Sequence, residues 1–176
     1  MVQIFMLLSN KSASRVIEFF LRRPTAEAYA EKLRQEIKIS RKSLLDSLAK
    51  LEGEGLLVAK RIGRVKAYSL NRGRPLVKQL KTLATVSELL PELEGLAGEA
   101  EVYLFGSAAR GEDTETSDVD LLVIGRVERS KVARILGGAM RERIKPVVMT
   151  ALEYSRLSRT DPAFYERIEK DKIRLV

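Results

Sequence analysis

"LFGSAARGEDTETSDVDLLVIG", Leu104 to Gly125, is the stretch on which the reading of this chain turns. Its apolar run, Leu121–Ile124, is entered through two alternating aspartates, Asp118 and Asp120, after a loop opened by Gly106 and Ser107. Residues two apart on a strand share a face, so both carboxylates project together from the head of that strand. Paired carboxylates repel and resist burial unless a cation meets them. The sequence contains no histidine and no cysteine, so any metal must be held by oxygen, which favours Mg²⁺ or Mn²⁺.

Gly106 allows close backbone approach, and Ser107 offers a hydroxyl and a backbone N–H where a helical turn would start. Together they make a cradle for phosphate oxygens. A phosphate cradle facing an acid pair is the equipment that phosphoryl or nucleotidyl transfer needs.

On either side, "EVYLF" reads as a strand and "AARG" as one helical turn. "SKVARILGGAMRERI" reads as a helix and "KPVVMT" as a third strand. The remainder, "ALEYSRLSRTDPAFYERIEKDKIRLV", reads as one or two helices closed by a short strand. Residues 95–176 therefore form a small α/β domain.

At 176 residues the chain has room for two such small units. A hydrophobic fraction of 45% beside 32% charged residues describes a folded chain rather than a disordered one. No apolar run reaches about 18 residues, and "MVQIFMLLSN" lacks the basic leader and small-residue cleavage site of a signal peptide. The expectation is a cytoplasmic protein without a membrane partner.

The net charge of +8 is unevenly placed. Residues 1–90 carry 18 Lys and Arg against 8 Asp and Glu, and from Leu56 to Ser87 there is no acidic residue at all. Such asymmetry points to a nucleic-acid-facing half joined to a half with another task.

In that basic half, Val16, Ile17, Phe20 and Leu21 follow helical spacing, closed by Pro24. Thr25 reads as the N-cap of a second helix with Ala26, Tyr29, Ala30, Leu33 and Ile37 on one face. Ser40 caps a third helix, packed through Leu44, Leu45, Leu48 and Leu51 and stopped near Gly53 and Gly55. "LLVAK" and "VKAYSL", joined by "RIGR" with Gly63 at the bend, read as a hairpin. After Arg74-Pro75, a helix runs through Leu76, Leu80, Leu83, Val86 and Leu90 and stops at Pro91. Its surplus of apolar positions would suit a homodimer.

Three helices followed by a hairpin, most clearly "ISRKSLLDSLAKLEGEGLLVAKRIGRVKAYSL", resemble a winged helix-turn-helix domain. The resemblance implies duplex DNA as partner, with the third helix in the major groove and the wing on the backbone. Ser40, Arg41, Lys42, Ser43 and Ser47 would then face DNA, with Arg61, Arg64 and Lys66 on the wing. Arg41 and Lys42 lie in the first helical turn, where the macrodipole prefers anions, so a docked phosphate would turn an unfavourable placement into a favourable one.

Gly-Ser, ten residues, then Asp-x-Asp resembles the nucleotidyltransferase superfamily of the polymerase-beta type, especially its minimal members. The resemblance implies that Ser107 contacts the triphosphate and that Asp118 and Asp120 bind a divalent metal and act in catalysis. Arg110, Gly111 and Ser117 would shape the loop. It further implies transfer of a nucleoside monophosphate from a nucleoside triphosphate to a hydroxyl, with a partner protein as one acceptor, as in antitoxin-like regulators.

One departure stands out. Active members usually add a third carboxylate from a neighbouring strand, whereas "IKPVVMT" holds none and neither Glu142 nor Glu153 sits where the pattern asks. The alternative is a transcription regulator whose second domain binds nucleotide without catalysis. The expected architecture is an α+β two-domain chain: a winged helix over residues 1–74, a linker helix over 75–94 and a nucleotidyltransferase-like domain over 95–176.

Overall fold

The computed structural model describes residues 9–136 and 142–176. The chain divides into two compact units, Met1–Lys78 and Gln79–Val176.

The first unit begins with α1 (Lys11–Arg22), capped by Asn10, whose side chain accepts from the Ser12 and Ala13 N–H groups. Its core face is Ala13, Val16, Ile17 and Phe20. The second helix, α2 (Ala30–Ile37), starts later than its capping signal predicts. Glu27–Tyr29 is instead a strand, β1, paired antiparallel with Ala67–Ser69. Sheet pairing and burial of Ala28 override the local cap at Thr25.

Next, α3 (Arg41–Gly53) carries the predicted cap, Ser40 Oγ accepting from Ser43 N at 3.1 Å. It buries Leu44, Leu48 and Leu51, but Leu45 is exposed. The hairpin is β2 (Leu57–Ile62) and β3 (Val65–Leu70), turning at Gly63 with φ +61. The sheet order is β1-β3-β2.

Helix α4 (Pro75–Leu93) contains the division between the units. In the second unit its buried stripe is Lys81, Thr85, Leu89 and Leu93, each four residues from the next, while Leu83 and Leu90 are exposed. The predicted face was therefore rotated. A lysine lies inside because an aspartate meets it there, as described below. The helix also continues past Pro91, its end held by burial of Leu93 and Leu96 in the core.

The second sheet has the order β6-β5-β4-β7. Strand β4 (Ala100–Phe105) pairs antiparallel with β5 (Val119–Gly125), and Phe105 lies opposite Asp120. Strand β6 (Ile144–Met149) runs parallel to β5 with Asp120 opposite Lys145, and β7 (Ile173–Arg174) pairs with β4. A parallel pair requires a crossover, which α6 (Arg129–Ile135) begins. Of the helix expected over 130–144, residues 137–141 lie outside the described residues, and Glu142 and Arg143 form a turn. Strand β6 ends the sheet order and contains Pro146, a residue suited to an edge because it has no N–H to donate.

Strand alternation sorts the two faces. Val102, Leu104, Val119, Leu121 and Val123 pack with Leu89, Leu93, Leu96 and Val132. Phe105 and Leu122 face the other way, under Leu157 of α7 (Ala151–Thr160) and Ile168 of α8 (Pro162–Glu169). Asp120 belongs to this second face, where α8 ends. Among the described residues, no helix is long and apolar enough to cross a membrane.

Candidate functional site

Strand β4 ends at Phe105 and the chain turns at once into α5 (Gly106–Ala109). Gly106 makes that turn with φ +74, in the left-handed region that side chains avoid. A Cβ placed there would lie 2.5 Å from Asp120 Oδ2. The glycine is thus required twice, by its backbone and by the carboxylate packed against its bare α-carbon.

Asp120 is half-buried and Asp118, just before β5, is exposed. Burial pushes the Asp120 carboxyl above the ordinary range. The Arg167 guanidinium draws it back, while the charges of Asp118 and Asp171 add to the upward push. The head of β5 is therefore a place where negative charge is poorly compensated. Arg167 stands 3.5 Å from Asp120 Oδ1, with its guanidinium 5.6 Å from the ring centres of both Phe105 and Phe164.

The loop between α5 and β5 is built to present the acids. Gly111 turns with φ +64, and Thr114 N donates to Ser117 Oγ at 2.8 Å. Asp113, almost fully buried, faces two cations. Lys81 Nζ lies 2.9 Å from its Oδ1, and Arg143 donates to its Oδ2 at 3.1 Å. Arg143 also donates to the carbonyls of Ser117 and Thr114, both at 2.9 Å. Neither Lys81 nor Arg143 forms part of the sequence motif, and no local signal marks them. Only the core stripe of α4 and the return of the chain before β6 bring them to the loop.

Arg110, which the motif did single out, donates to Glu112 at 2.8 Å and pairs with Asp171. Asp171 also accepts from the Gly106 N–H at 3.1 Å. Arg110 and Arg167 border an open cleft of about 660 Å³ completed by Glu112, Ala163, Glu166 and Lys170. Ser107, half-buried, follows Gly106 in α5.

The structure offers no acid from β6. Parallel neighbours in register share a face, so the residues of β6 beside Asp120 and Leu122 are Lys145 and Val147. Glu153 is committed elsewhere: its carboxylate accepts from Thr150 N at 2.6 Å and Thr150 Oγ1 at 2.8 Å in the capping box of α7. Among the described residues, no group of three or more acidic, His or Cys side chains is placed to hold a metal ion.

In the first unit, Arg41, Arg64 and Lys66 border one groove of about 390 Å³, together with Tyr29, Leu45 and Tyr68. Lys42 and Arg61 do not line it. Ser40 and Ser43 bond to each other at the start of α3. Ser47 is buried and its hydroxyl donates to the Ser43 carbonyl at 2.6 Å, so it is unavailable to a partner. The winged-helix resemblance had placed it facing DNA, but a serine can bury by bonding back to its own helix.

A strand, a glycine-serine turn and a second strand headed by two acids define a small α/β unit of recognisable type. Comparison with known families assigns it: the nucleotidyltransferase domain family matches residues 86–175, and the chain belongs to that family. Among solved structures, a presumed nucleotidyltransferase from Sulfolobus solfataricus is similar, with 22% identity, a TM-score of 0.38, and coverage of 58% of this chain and 88% of that one. No curated protein matches the chain.

Proposed function

We propose that the second unit transfers a nucleoside monophosphate from a nucleoside triphosphate to a hydroxyl acceptor. The observation that carries this reading is the packing of Gly106 against Asp120, which sets the Gly106-Ser107 turn directly beside one of the two aspartates. In the transfer, the acceptor oxygen bonds to the α-phosphorus, the bond to the β-phosphate oxygen breaks, and pyrophosphate leaves. Gly106 N–H, Ser107 and Arg110 would bind phosphate oxygens, and Lys81, Asp113 and Arg143 would hold the loop that aims Asp118.

The donor set suits a hard divalent cation in part. Two carboxylates on one face, one of them desolvated, supply oxygen ligands and unmet negative charge. Asp118 and Asp120 would hold Mg²⁺ or Mn²⁺, which would neutralise charge on the phosphates when bound. With β6 lacking an acid, the acceptor's proton would pass to a base on the acceptor or its carrier, or to water.

A second reading has its own support. Asp120 and the Gly106 N–H already have protein partners, Arg167 and Asp171, and β6 sets a lysine rather than an acid beside Asp120. That favours a domain that binds nucleotide without turnover.

For the first unit we propose a winged helix that binds duplex DNA. The order helix, strand, two helices, hairpin supports it, as do Arg41, Arg64 and Lys66 around one groove. A protein acceptor combined with DNA binding would suit an antitoxin-like regulator of its own expression.

Incubation with α-labelled ATP, Mg²⁺ and candidate acceptors tests the first reading. Label transfer abolished by Asp118→Asn with Asp120→Asn supports it. Nucleotide uptake that depends on the same aspartates, without transfer to any acceptor, supports the second.

A further inference from the structure

Two side chains from the end of the chain stand on the proposed site with complementary charge. Arg167, near the end of α8, faces Asp120 at 3.5 Å. Asp171, in the turn between α8 and β7, accepts from Gly106 N at 3.1 Å and pairs with Arg110, and its side chain is only 10% exposed. A cation thus sits on one acid of the pair, Asp120, and an anion sits on the backbone N–H and guanidinium that would receive a phosphate.

The placement is fixed by the fold. Strand β7 pairs Ile173 with Leu104 and Arg174 with Tyr103, so the turn before it lies alongside Gly106. On the other side, Arg167 lies against the rings of Phe105 and Phe164, which pack edge to face with each other. Yet Arg167 remains 57% exposed and its distance to Asp120 is long for an ion pair, so it can swing away without unpacking α8.

We infer that Arg167 and Asp171 form an internal counter-ion clamp, which a nucleoside triphosphate and its divalent cation must displace to enter. The inference rests on the proposed nucleotide site. Chemically, the clamp is a surrogate ligand: its guanidinium partly offsets the Asp120 carboxylate and its carboxylate pairs with Arg110. An incoming ligand must bring both signs at once. A free nucleotide without metal would displace Asp171 while leaving Arg167 on Asp120, and a free divalent ion would do the reverse. The clamp therefore selects the metal–triphosphate complex over either component. The competent state is a fraction of the whole, and apparent affinity falls by that fraction.

Calorimetric titration of the full chain with ATP and Mn²⁺ tests this, comparing wild type with Asp171→Asn and Arg167→Gln. Each substitution removes one charge of the clamp; Asp171→Asn keeps the side chain's shape, whereas Arg167→Gln also shortens it. We expect binding about tenfold tighter in at least one folded variant. Unchanged or weaker binding in both overturns the clamp while leaving the nucleotide site standing, provided Asp118→Asn with Asp120→Asn abolishes uptake in wild type. Uptake absent from all chains, or indifferent to those aspartates, overturns the site and the clamp with it. If neither variant folds, hydrogen exchange on wild type decides. Faster exchange across residues 166–172 on adding ATP and Mn²⁺ supports displacement, and unchanged or slower exchange there overturns it.

Discussion

Gly106 shows how much one residue can be asked to do. Substitution by alanine would impose the left-handed backbone on a side chain, at about 1–2 kcal/mol, and drive its Cβ onto Asp120 Oδ2. Gly106→Ala should therefore lower stability in urea titration and also remove Mn²⁺-assisted ATP uptake in calorimetry. Glu169 gives a different residue-level expectation. Its carboxyl is held below the ordinary range, first by the bond from Lys172 and then by that from Tyr154. The contribution of such a group is present above its unfolded value, 4.5, and is lost as pH falls through the lower folded value. Melting temperatures of Glu169→Gln should thus lie below wild type at neutral pH, and the two curves should converge in acid below that window. Glu153 is a simpler case. Because its carboxylate caps α7, Glu153→Gln should leave label transfer intact, whereas a general base would not tolerate the change.

At the scale of elements, the loop before β5 depends on charges donated by other parts of the chain. Lys81 on α4 and Arg143 before β6 converge on Asp113; Lys81 and Asp113 are almost wholly buried, 4% and 6% exposed, whereas Arg143 is 31% exposed. Removing one partner of a buried ion pair leaves an uncompensated charge. With Arg143 still on Asp113 Oδ2 and only Oδ1 left unmet, Lys81→Met should cost about 1–3 kcal/mol in denaturant titration. Lys81→Met combined with Asp113→Leu should cost less than either change alone, since neither buried charge is left without the other, and Arg143, partly exposed, keeps the Ser117 and Thr114 carbonyls. The same pairing explains why the inward face of α4 was misjudged from its leucines. Apolar residues surround that helix, and only the partner aspartate, far away in sequence, reveals that a lysine points inward.

Across the whole molecule, what was legible in the sequence was local. The cap at Ser40, the bend at Gly63 and the glycine-serine turn followed by Asp-x-Asp each declare themselves within a few residues. β1 did not, because a three-residue strand exists only through pairing with β3, nor did Arg167 and Asp171, which reach the site through the pairing of β7 with β4. If the first unit binds duplex DNA, log Kd should rise linearly with log salt, and Arg41→Ala with Lys42→Ala should reduce that slope by about two. Ser47→Ala should leave DNA affinity unchanged, its hydroxyl being turned into its own helix. Pro146, finally, bears on how this protein keeps in storage. A terminal strand is a template on which another copy can stack, and an imino acid spoils that template. Pro146→Val would restore a complete row of donors, and concentrated stocks of that variant should cloud and scatter light where the parent stays clear.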